Sequence, residues 1–163
     1  MGKLNESFDL EQIEGTLQGI LDEANIGVPC KVHVFRYKET NNWMVYLRDL
    51  TTNRVPSAAP GQLAYSKNFL ASFDLGYFPG CCMYGVSYNT YVCVRTRGKG
   101  IANVLQKMKV ALAKCIGFSA LICTTSRYNV AQNHILPKHG WEKMDTRINK
   151  ITGNTVCTWI KEL

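Results

Sequence analysis

Val92-Cys-Val-Arg-Thr-Arg-Gly-Lys-Gly100 joins an apolar, β-prone run to a basic turn punctuated by glycine. An amphipathic segment, Gly100 to Cys115, follows at once. A strand, a glycine turn and a helix in that order make an anion cradle. Glycines let the backbone turn tightly and approach a phosphate. The first N–H groups of the helix, aided by its dipole, then face the negative charge. The spacing excludes two familiar phosphate loops. A P-loop places Ser or Thr after its Gly-Lys, but Lys99 stands between two glycines and Ile101 comes next. A Gly-x-Gly-x-x-Gly loop needs a third glycine where Asn103 stands.

The charge around this stretch supports the cradle. The net charge is +7, yet no acidic residue occurs between Leu75 and Trp141. That window carries Arg95, Arg97, Lys99, Lys107, Lys109, Lys114, Arg127 and Lys138. A local positive field attracts a phosphorylated small molecule or a nucleic acid backbone. A hydrophobic fraction of 46% and a charged fraction of 19% fit an ordered domain, and 163 residues make one domain over 1–163.

Seven cysteines (Cys30, Cys81, Cys82, Cys93, Cys115, Cys123, Cys157) are an odd number. No apolar leader opens the chain and no 18-residue apolar run occurs in it. The expectation is reduced thiols, a cytoplasmic setting and no membrane partner. The Cys81-Cys82 pair has no second pair at ligand spacing, so no metal site is expected. Cys93, Cys115 and Cys123 fall on apolar patterns and are read as core fillers.

Working outward, Asp9 to Asn25 has a helix cap and a stripe of Ile13, Leu17, Ile20, Leu21 and Ala24. Cys30–Lys38 and Trp43–Leu50, around Asn41-Asn42, predict an antiparallel hairpin. Thr51–Gly61 is a loop. Gln62–Phe73 is expected to be a second helix, with Leu63, Phe69, Leu70 and Phe73 as its apolar side, and Asp74–Gly80 a turn. Cys81–Val86 and Tyr91–Val94 are two strands of a hairpin or one long strand with a bulge. The helix over Gly100–Cys115 directs Ile101, Val104, Leu105, Met108 and Leu112 inward and Lys107, Lys109 and Lys114 mostly away. Phe118–Thr124 is a buried strand. Asn129–His139 is a short helix, and a final hairpin turns at Thr152-Gly153-Asn154. The fold class is therefore α/β, a mixed sheet with helices on both faces. Its Tyr91-to-Thr124 unit is a right-handed parallel crossover.

Arg95-Thr96-Arg97-Gly98-Lys99-Gly100 resembles the acyl-CoA pyrophosphate loop, Arg/Gln-x-x-Gly-x-Gly/Ala, of the Gcn5-related N-acetyltransferase (GNAT) superfamily. The following helix, Gly117, the strand Phe118–Thr124, Asn129 and Gly140-Trp141 match the family's central unit in order. The likeness covers Tyr91 to Glu142, and the first 90 residues correspond only in outline. It implies a mostly antiparallel mixed sheet, acetyl-CoA as the acyl donor and direct N-acyl transfer to an amine. It also implies that Val92, Cys93 and Val94 carry the pantetheine arm and that the amides from Arg97 through Gly98, Lys99, Gly100 and Ile101 to Ala102 hold the pyrophosphate. By the same likeness, Asn129 contacts the arm or fixes its helix, and a strand N–H near Cys93 polarises the carbonyl.

One departure bears on the chemistry. The family often has a tyrosine four residues before the glycine of its Gly-Phe pair, and here that position is Leu136. Leucine transfers no proton. Tyr128 and His134 are the nearest substitutes, each also readable as a surface residue. Asp74 is the carboxylate that could reach in as a base, with water held by Tyr88, Asn89 or Ser126 as another route. Cys82 and Cys93 lie in apolar strand contexts, which disfavours a covalent route. Two alternatives stay open: an enzyme of this fold modifying a nucleotide or nucleic acid, and a noncatalytic CoA-binding or structural protein. A monomer and a homodimer both fit.

Overall fold

The computed structural model describes residues 9–51 and 69–163. Its elements run α1 (Leu10–Ala24), β1 (Cys30–Arg36), β2 (Trp43–Asp49), β3 (Phe69–Phe78), β4 (Cys81–Val92), α2 (Ile101–Ile116), β5 (Ala120–Ser126), α3 (Val130–Lys138), β6 (Glu142–Ile148) and β7 (Thr155–Glu162). The seven strands among the described residues form one sheet in the order β1-β2-β3-β4-β5-β7-β6. Only the β4–β5 pair is parallel, joined through α2.

Asp9 caps α1 by accepting from the amides of Glu11 and Gln12, and Asn25 ends it in a left-handed conformation. The helix buries Ile13, Leu17 and Leu21. Its polar side also protects the sheet. Gln18 Oε1 accepts from Val32 N (2.9 Å), and Glu14 Oε1 accepts from Val34 N (2.8 Å). Both N–H groups belong to edge strand β1. Two side chains one turn apart thus occupy an edge that would otherwise pair with another chain.

The expected second helix is not present where the structure describes it. Phe69–Phe78 is a strand, and the turn is confined to Pro79 and Gly80, with Gly80 at φ +79°. Leu63 and the rest of 62–68 lie outside the described residues. The physical reason is position. β3 lies between β2 and β4 and buries seven of its first eight residues, so its sequence is apolar without alternation. An unbroken apolar run fits helix and central strand equally. The open question at Ser87–Thr90 also resolves. β4 is one twelve-residue strand with a bulge, where Asn89 and Thr90 oppose Phe73 alone and Asn89 adopts φ +50°.

Helix α2 packs against α1 and across β3 and β4, and Gly117 at φ +91° terminates it. Cys123 is buried, but Cys93 is half-buried and Cys115 is exposed, so neither is a core filler. At the base of the crossover, a Cβ on Gly85 would lie 2.6 Å from the Phe118 ring and 2.8 Å from Leu121 Cδ2. Glycine is therefore required for β4 and β5 to pair there. Gly85→Ala is expected to lower stability by about 1–3 kcal/mol through overpacking, read as a lower denaturant midpoint at unchanged slope.

Candidate active site

β4 and β5 pair over three residues only, Tyr84↔Ala120, Gly85↔Leu121 and Val86↔Ile122. Beyond Val86 the strands part. β4 continues beside β3 to Val92, while β5 continues beside β7 to Ser126. The parting leaves one edge of β4 open. Cys93 N donates to Leu70 O (2.8 Å), so that residue faces β3. Val92, one residue earlier, faces the gap, and Arg97 Nε donates to its carbonyl (3.3 Å). The expected carbonyl-polarising N–H near Cys93 is thus not that of Cys93 itself; the open edge presents Val92.

A cavity of about 550 Å³ runs from this edge to the loop, lined by Thr90, Tyr91, Val92, Arg97, Gly98 and Gly100, with Ile101 and Asn103 at the start of α2. Gly98 (φ +78°) and Gly100 (φ +81°) are left-handed, and a Cβ on either would meet nothing within 4 Å. The N–H of Arg97 is taken by Val94 O (3.3 Å). The next five amides, Gly98 to Ala102, make no hydrogen bond to any described residue. Five free amides at a helix N-terminus, backed by Lys99 and Arg97, fit a diphosphate group. Of the six amides expected to hold a pyrophosphate, that of Arg97 is thus engaged within the chain and the other five are unpaired among the described residues. Arg95 is turned away from it, its guanidinium 3.5 Å from the buried Asp49 carboxylate.

A second cavity, of about 690 Å³, opens where the strands part. Its walls include Ser87, Tyr88, Asn89, Cys123, Asp145 and Arg147. Consecutive residues Asn89 and Thr90 line different cavities, so the bulge is where the two meet. Ser87 Oγ and Thr158 Oγ1 are buried in this second wall without a partner among the described residues. Buried hydroxyls normally have partners, so two orphans in one cavity mark a place for water or a ligand's polar atoms. Asp145 and Arg147 escaped sequence reasoning because they lie on the terminal hairpin, and only the β5-β7-β6 order brings them to the gap.

The expected catalytic residues do not converge. Tyr128 is 79% exposed and His134 is exposed, and neither lines either cavity. Asp74 stands behind the bulge, accepting from Asn89 Nδ2 (2.7 Å), and burial raises its carboxyl above the usual aspartate range. Asn129 caps α3, accepting from Gln132 N, and also lines the first cavity. Leu136 is 1% exposed within the core, so nothing at that position reaches the gap.

The largest correction concerns Lys109. Sequence periodicity directs it away from the core, but it is 2% exposed. Its ammonium donates to Thr90 Oγ1 (2.7 Å) and lies 5.7 Å from the Phe73 ring centroid. Burial pushes it down to about 8, and Cys123 opposes that slightly. Cys123 is itself pushed up to about 11 by burial.

No family model and no characterised protein matches the chain by sequence. Solved structures do match by shape. An IAA acetyltransferase from Bacillus cereus superposes with TM-score 0.57 at 16% identity, over 75% of this chain and 78% of that one. The NatC complex bound to Gag peptide and CoA gives TM-score 0.59 at 14% identity, over 74% and 70%. A spermidine/spermine N-acetyltransferase from Vibrio cholerae gives TM-score 0.56 at 11% identity, over 77% and 67%. The chain has the fold of the GNAT superfamily.

A buried lysine titrating near 8 instead of 10.5 binds its proton less tightly in the folded than in the unfolded chain. Stability therefore rises with pH across that interval, and the penalty is fully present below it. Lys109→Met is expected to add on the order of 3 kcal/mol at pH 7 and to remove the rise between pH 8 and 10.5. Denaturant titrations across that range check both.

Proposed function

We propose that the protein transfers an acyl group, acetyl in the first instance, from acyl-CoA to a primary amine. The single observation behind this reading is the row of five free amides, Gly98 to Ala102, placed at the head of a gap between two parting strands. An acyl-CoA bound there supplies an activated thioester carbonyl and a thiol leaving group. The residues of this chain do the rest. The amides and Lys99 hold the charged end. Val92 presents backbone groups along the open edge. Asp74 holds Asn89, and with it the bulge that turns the strand between donor and acceptor sides.

The second cavity supports a chemical class for the acceptor. Asp145 and Arg147 line it and form no ion pair with each other among the described residues. Residues two apart on one face of a strand are separated by about 7 Å. A carboxylate and a guanidinium at that spacing suit a small molecule carrying an amine and, some atoms away, an acidic group. Asp145 attracts the ammonium and takes one proton from it before attack. The orphan hydroxyls of Ser87 and Thr158 bind the polar atoms between. The same observation favours a small zwitterion over a nucleic acid.

Calorimetric titration with CoA tests the donor site. Gly98→Glu places a like-charged group in the cradle and is expected to weaken CoA at least tenfold while the chain stays folded. Unchanged affinity overturns the assignment. Mass measurement on paired amines, alike except for a carboxylate, tests the acceptor. The acidic member is expected to be the better substrate, and Arg147→Ala to erase the difference without altering CoA affinity.

A further inference from the structure

We propose that Lys109 and Thr90 form a proton relay to the departing sulfur, in the role that Leu136 leaves unfilled. This rests on the donor-site reading above. Thr90 lines the donor cavity at the bulge, at the end away from the amide cradle. It stands about 13 Å along an extended strand from Val94, where the loop begins. The Lys109 ammonium is hydrogen-bonded to the Thr90 hydroxyl from inside the protein, 2.7 Å away. Leu136 is in the core, and Tyr128 and His134 line neither cavity. Lys109 and Thr90 are thus a proton-bearing pair already bonded to each other at the wall where the thiol must leave.

The surroundings of Lys109 suit it to donate rather than merely to pair. From β3 it meets the Phe73 ring, from β4 the Thr90 hydroxyl, and from β5 Cys123. The buried residues of α1 are Ile13, Leu17 and Leu21, all apolar. No carboxylate holds the charge there among the described residues. Burial brings the ammonium, at about 8, into the range of an ordinary thiol near 8.5. A solvated lysine stays near 10.4, so burial is what brings the two groups close enough in acidity to share a proton through Thr90.

The step balances as follows. The acceptor nitrogen bonds to the acyl carbon, and the carbon–sulfur bond breaks with its electron pair on sulfur. The Thr90 hydroxyl proton passes to sulfur, and a Lys109 proton replaces it on Thr90. The acceptor ammonium gives one proton to Asp145 before attack, and the second, released from nitrogen as it bonds to carbon, goes to solvent water. After the products leave, Lys109 is recharged from solvent and Asp145 discharges to it.

The test starts with free CoA and a readout that involves no turnover. The thiolate absorbs in the ultraviolet, so the thiol pKa of bound CoA can be titrated directly in wild type, Lys109→Met, Thr90→Val and Thr90→Ser. The expected result is a bound thiol more acidic in wild type and Thr90→Ser than in the other two, by about one pKa unit or more. In turnover, kcat is expected to fall about 10²-fold in Lys109→Met and Thr90→Val, with KM for acyl-CoA unchanged and the alkaline limb near pH 8 absent. Thr90→Ser is expected to keep both. Equal thiol pKa values in wild type and Lys109→Met, with CoA bound to both, overturn the relay and leave the donor site standing. If wild type binds no CoA, the donor-site reading fails first and the relay falls with it.

Discussion

Three paired residues at the base of β4 and β5 determine what the rest of the molecule can do. Gly85 lets Phe118 and Leu121 close in and fasten the two strands there. Immediately beyond, each strand goes to a different neighbour, β4 to β3 and β5 to β7. A parallel strand pair that separates in this way leaves backbone groups unpaired inside a domain, which is costly unless a ligand or water satisfies them. Both cavities, the two orphan hydroxyls and the bulge at Asn89–Thr90 gather along that separation. The gap is the consequence of topology, and the chemistry is arranged on its two sides.

Electrostatics divides the labour between those sides. The acid-free window proves less uniform than its eight positive charges suggest. Arg95 is paired with Asp49, and Lys109 is buried against Phe73 and Thr90. What remains at the surface around the loop is Arg97 and Lys99, close to five free amides. The second cavity receives its carboxylate from outside the window, through Asp145 on the terminal hairpin. One cavity is therefore bordered by positive charge and free amides, the other by a carboxylate and a guanidinium.

The loop, helix α2, Gly117 and the parallel crossover were legible because their signals are local: glycines at fixed spacing, a 3.6-residue period, a left-handed stop. β3 was not, because a strand buried on both faces loses the alternation that identifies strands. Lys109 was misplaced because a charge among apolar positions reads as solvent-facing, and only α2 crossing β3 and β4 shows otherwise. Ser87, Asp145, Arg147 and Thr158 carry no motif at all. They converge through the strand order β4-β5-β7-β6, which no single stretch of sequence encodes.

The central claim is that the loop holds the diphosphate of CoA through its backbone. Amide resonances of Gly98 to Ala102, followed while CoA is added, test it most directly. The account predicts that these five amides shift downfield together and saturate, as hydrogen bonds form to a bound anion. Saturable CoA binding that leaves all five unmoved would contradict it.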